Sequence, residues 1–154
     1  MSRRGIKPRP VWEDRFALPK RPELLAPFSR QQRGLIDLVR EQLLALPSVE
    51  ESLTWRGLPW RWTFAYSMEG ESDRPWAYLI PHPGKPVFVV PMASSRPDPF
   101  IDPRRSSRMV REAVAQAMRV GDMIWPQWEL SSRALTDELL DIARRRHDSL
   151  MAAV

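Results

Sequence analysis

Apolar and polar residues alternate without a slip in "WRWTFAYSM", Trp60 to Met68. A period of two is the signature of a β-strand, and it puts Trp60, Trp62, Phe64, Tyr66 and Met68 on one face. Arg61, Thr63, Ala65 and Ser67 then occupy the other. Reading from Leu58, this is the first of three predicted strands. "PWAYLIP" (75–81) and "VFVVPM" (87–92) are the next two, rich in aromatic and β-branched residues. The polar loop "EGESDR" (69–74) and the turn "HPGK" (82–85) join them, and connections this short imply antiparallel pairing.

Helical periodicity brackets the strands. Ser29, with Gln32 three residues on, forms a capping-box pattern, and Leu35, Leu38, Val39, Gln42, Leu43 and Leu46 then recur at helical spacing up to Pro47. "SVEESLTW" (48–55) reads as a turn or helical piece that becomes extended near Thr54. After the loop 93–105, with Pro97, Pro99 and Pro103, a second helix carries Met109, Val110, Ala113, Val114, Ala117 and Met118, and Gly121 is placed to end it. Pro126 keeps 122–130 extended. Ser131 or Ser132 caps a last helix with Leu135, Leu139, Ile142 and Ala143 inward, and Arg144–Arg146 complement its C-terminal dipole. Helix, three or four antiparallel strands, then two helices make an α+β fold, with helices packed on one face of the sheet. The last strand, Val87–Met92, is a candidate exposed edge.

Residues 1–28 contain Pro8, Pro10, Pro19, Pro22 and Pro27, which deny a continuous helix or central strand. They form a Pro-rich basic arm, either pinned by Trp12 and Phe16 or disordered, ahead of a single α+β domain at 29–154. Charge follows the same division. The arm holds seven Lys/Arg against three acids, a net of +4 within the total of +5, so the remainder is close to neutral. That argues against nucleic acid as the main partner and leaves it as a third reading, weak binding through the arm.

At 43% hydrophobic and 28% charged, 154 residues suit one domain with a real core. No apolar run reaches the roughly 18 residues of a membrane span. "MSRRGIKPRP" lacks the apolar stretch of a secretory signal, so a cytoplasmic protein is expected. With no cysteine, disulfides, thiolate metal sites and Cys nucleophiles are excluded. Six unclustered glycines contain neither a Walker loop nor a dinucleotide fingerprint, and no nucleophile motif is present. His147, among arginines, reads as a solvated surface residue. His82, in "PHPGKP", reads as a turn residue beside Lys85. No enzyme and no cofactor are expected.

The aromatic row would bury roughly 600–1,000 Å² if four of its rings were covered. That exceeds the ~300–600 Å² of the largest apolar patch on a typical monomer, so the row is read chiefly as a core wall. Near its start, Trp55, Trp60 and Trp62 crowd within eight residues beside Arg61. With His82 and Lys85 they form the candidate ligand site, for an unidentified small molecule or protein partner.

"LPSVEESLTWRGLPWRWTFAYSM" with "RPWAYLIPHPGKPVFVV" resembles the YdhG-like domains, a bacterial family of unknown function. The shared pattern is a Leu-rich helix ending at Pro47, the Glu50–Glu51 pair, the Trp62–Phe64–Tyr66 strand, a Trp76–His82 strand, and a later Asp-Pro at Asp98-Pro99 or Asp102-Pro103. The family's Leu-Leu-x-Gly-x-Gly-Lys loop has no counterpart in "DPFIDPRRSSRMV". The opening "ALPSVEES" also resembles the MmcQ/YjbR-like proteins, which have been labelled DNA-binding. Either resemblance implies a frataxin-like α+β fold. The first further implies an iron-handling role, for which the candidate metal residues are Asp37, Glu41, Glu50 and Glu51.

Overall fold

The computed structural model describes residues 10–95 and 100–153. Residues 1–9 of the arm, and Pro97, Asp98 and Pro99 of the long loop, lie outside them. Four α-helices and eight strands in antiparallel sheets make up the described part, so the fold is α+β. No helix among the described residues is long and apolar enough to cross a membrane.

Ser29 opens α2 (Arg30–Leu44), which follows the short α1 (Arg21–Leu25). The Ser29 hydroxyl accepts from the Gln32 amide at 3.2 Å, and the Gln32 side chain accepts from the Ser29 amide at 3.1 Å. Two otherwise orphaned donors are thereby satisfied. Leu35, Ile36, Val39 and Leu43 are buried along one stripe.

The segment expected to be a turn or helical piece is instead β1 (Val49–Trp55). Ser48 takes a left-handed conformation (φ 62°) that turns the chain, and all seven residues then pair with β2 (Trp62–Met68). Cross-strand partners share a face, so Glu51, Leu53 and Trp55 stand with Tyr66, Phe64 and Trp62. The same face continues through Leu79 of β3 (Ala77–Ile80), Phe88 of β4 (Val87–Val89) and Trp128 of β8 (Gln127–Glu129). It is the core wall that the alternation predicts: Phe64, Tyr66, Leu79 and Phe88 are fully buried. Arg40 of α2 lies over the Phe64 ring at 4.6 Å, and Arg144 of α4 (Arg133–Ala152) donates to Gln42, tying the two long helices together.

The five-stranded order is β1-β2-β3-β4-β8, so Val87–Val89 is an interior strand rather than the expected edge. A second sheet, β5 (Met92–Ala93), β7 (Met123–Trp125) and β6 (Met118–Val120), carries the chain onward. The β4–β8 and β5–β7 ladders meet where Pro91 and Pro126 interrupt them. Proline has no amide to donate, so the ribbon leaves one sheet there and enters the other.

Three further expectations are corrected. The second helix, α3, spans Arg108–Ala115, with the Ser107 hydroxyl capping it. It stops before Gly121, because Met118–Val120 pairs with β7 and Gly121 (φ 62°) makes the turn between them. The last helix runs to Ala152, so Arg144–Arg146 lie in its body and not at its end. His147 is buried and donates from Nε2 to the Pro47 carbonyl at 2.7 Å, one helical turn beyond buried Ala143.

Residues 10–28 are docked. Trp12, Leu24 and Phe28 lie in the same core as the sheet, whereas Phe16, the other expected pin, is 89% exposed.

Candidate functional site

The hairpin between β1 and β2 decides where the tryptophans go. Arg56 donates its amide to the Arg61 carbonyl and Arg61 donates to Gly57, which closes a tight loop over residues 57–60. Gly57 (φ 76°) and Arg61 (φ 59°) are both left-handed. The break at Arg61 ends the alternation, so β2 begins at Trp62 and Trp60 is not on it. Trp60 packs instead against Tyr78 (5.1 Å between ring centroids) and Trp125 (6.0 Å). Tyr78 pairs with Ala65 and therefore belongs to the sheet face opposite Phe64. Burial pushes the Tyr78 hydroxyl's pKa up, partly offset by Arg56, whose guanidinium lies over the ring at 5.0 Å. The expectation that Trp60 and Trp62 share a face is thus corrected.

Trp55 and Trp62 remain together, edge to face at 5.8 Å. Trp62 donates its indole N–H to the Asp14 carbonyl at 2.7 Å, and the Trp62 carbonyl accepts from the Trp12 indole at 3.1 Å. Trp12 packs against Arg61, 4.8 Å from its ring, and against His82, at 4.6 Å. Arg61 also pairs with Glu13 at 3.0 Å. These reciprocal bonds clamp the N-terminal segment onto the hairpin and leave a cleft of about 500 Å³ between them. Trp55, Arg61, Gly57 and Leu58 form one side of the cleft, and Glu13 to Phe16 form the other. The volume falls in the range of small-ligand and anchor-residue pockets.

The six candidate residues therefore separate. Trp55 and Arg61 line the cleft, and Trp62 backs it. His82 packs against the Trp12 ring and does not line the cleft, and its Nδ1 is bonded to the Pro83 carbonyl. Lys85 is exposed on that turn, and Trp60 is on the opposite face of the sheet. What the pattern missed is the facing wall, Glu13, Asp14, Arg15 and Phe16, and also Leu58. Trp12 and Phe16 marked that segment as able to dock, but nothing local tells which stretch of sheet it docks against.

The candidate metal residues are not gathered. Glu50 and Glu51, adjacent on β1, point to opposite faces. Asp37 and Glu41 are exposed on α2. Glu51 is enclosed: Arg40 donates to both of its oxygens (2.9 and 3.0 Å), Tyr66 donates at 2.8 Å and Arg21 at 3.2 Å. Burial pushes its carboxyl upward, but these donors outweigh burial and hold its pKa below the usual carboxylate value. Burial, reinforced by the Glu51 charge, raises the Tyr66 hydroxyl well above its ordinary value. Among the described residues, no three His, Asp or Glu side chains are grouped to hold a metal ion.

No family model, no curated protein and no solved structure matches this chain.

Proposed function

We propose that this chain is a non-catalytic binding domain, and that the cleft between Glu13–Phe16 and Trp55–Arg61 receives an apolar group of a protein partner. One observation carries the reading. Phe16 and Leu58 are 89% and 74% exposed on opposite sides of a cleft that Trp55 lines. Leu18, 70% exposed, follows Phe16 two residues on. Large apolar side chains held in water around a concavity are the ordinary anatomy of a docking site, where a buried aromatic anchor supplies most of the affinity. The polar groups there also suit docking. Glu13 and Arg61 neutralise one another, and the backbone on both sides is fixed by indole hydrogen bonds, so the cleft is organised before anything binds.

The test is a photo-crosslinking amino acid placed at Leu58 in cells, with the exposed Glu129 position as control, alongside native mass spectrometry of the untagged protein. Protein adducts at Leu58 and none at Glu129 are expected. A retained small mass in place of adducts moves the reading to a small ligand. Neither adduct nor retained mass removes it.

A further inference from the structure

The docking reading leaves the partner to be named, and the charges of the cleft distinguish among partners. Glu13 and Arg61 pair with each other at 3.0 Å. The two charges between Glu13 and the exposed Phe16 in the chain, Asp14 and Arg15, make no ion pair among the described residues. Both line the cleft. An oxygen of Asp14 accepts the Phe16 amide hydrogen at 3.0 Å, and the Arg15 guanidinium stands 5.2 Å from the Phe16 ring. The three residues are thus held as one unit: an anion, a cation and an exposed ring.

A uniformly acidic or basic partner would satisfy one of these charges and repel the other. A surface bearing the same two charges in reverse order satisfies both, and a twofold axis generates that surface from the chain itself, because residue i then meets j while j meets i. The apolar groups obey the same symmetry. Each copy offers a protruding Phe16 and, beside it, a cleft lined by Trp55 and Leu58 that a second ring can enter. Resting on the docking reading above, we propose that the partner is a second copy of this chain. The two copies form a twofold dimer in which Phe16 of each seats against Trp55 and Leu58 of the other, with Asp14 facing Arg15 in both directions.

Sedimentation velocity of the untagged full chain over a wide concentration range tests this. A species of twice the 17.9 kDa chain mass is expected to grow with concentration. Phe16→Glu should raise its dissociation constant by at least about tenfold, the loss of one anchor residue per side. Arg15→Asp should weaken it as well, by setting carboxylate against carboxylate, and adding Asp14→Arg to that variant should restore it. Because these side chains sit at the surface, an unchanged far-UV circular dichroism spectrum shows that each variant is folded. A chain monomeric at every concentration overturns the proposal, as does a dimer that survives Phe16→Glu. If the chain is monomeric while Leu58 crosslinks to a different protein, the dimer fails and the docking reading stands.

Discussion

Glu51 draws three donors from three different elements into a space nearly closed to water, its side chain only 5% exposed. An unpaired charge in such a place is costly, so the residue stabilises the fold only as a member of its set. Glu51→Gln leaves Arg40 without its carboxylate and is expected to destabilise the protein by about 3 kcal/mol, read by urea denaturation. Tyr66→Phe removes one hydrogen bond to a charged acceptor and should cost less, about 1.5–3 kcal/mol. The pH dependence has a definite sign. The folded-state pKa of Glu51 lies below its unfolded value, so its contribution is complete above the unfolded pKa near 4.5 and is lost as pH falls through the folded one. The stability gap between wild type and Glu51→Gln should therefore narrow below about pH 4.5, and a gap that is constant down to strong acid would contradict the assignment.

Three of the four α-helices start where a hydroxyl satisfies the backbone, and α3 stops where a strand partner takes over. Ser29, Ser107 and Ser132 each cap a helix through the hydroxyl. Ser29→Ala should cost about 1 kcal/mol and fray the first turn of α2, seen as faster amide exchange at residues 30–33 with the rest of the helix unaffected. Helix ends were less legible than helix starts. The short α3 yields to β6 because pairing with β7 satisfies the backbone of Met118–Val120. The tall aromatic strand loses its first member because Arg61 adopts a positive φ, which hydrophobic alternation cannot register.

Across the whole molecule, the N-terminal segment is a structural part of the described fold. Trp12, Leu24 and Phe28 are buried with the sheet and α2, and each such side chain contributes about 1.5–3 kcal/mol on burial. Removing residues 1–28 should therefore forfeit roughly 5–9 kcal/mol, comparable to the whole stability of a small domain. Circular dichroism and thermal melting of the truncated chain are expected to show a loss of cooperative folding. A truncated chain that melts as sharply and as high as the full one would make the segment an accessory strap.

The sequence by itself determined the α+β class, the capped start of α2, the buried face of Phe64 and Tyr66, and the inward stripe of α4. These features depend on local periodicity and on caps a few residues apart, so a short window contains their cause. His147 was within reach as well, four residues after Ala143 on that stripe, because the helix runs on past its arginines. Only the tertiary structure decided that Trp60 leaves the face of Trp62, that Glu51 meets Arg21 and Arg40, and that the wall opposite Trp55 comes from Glu13–Phe16. Each of these joins residues distant in sequence or turns on a single backbone conformation. Their energies come from contacts that exist only once the chain has folded, and no pattern along the chain encodes them separately.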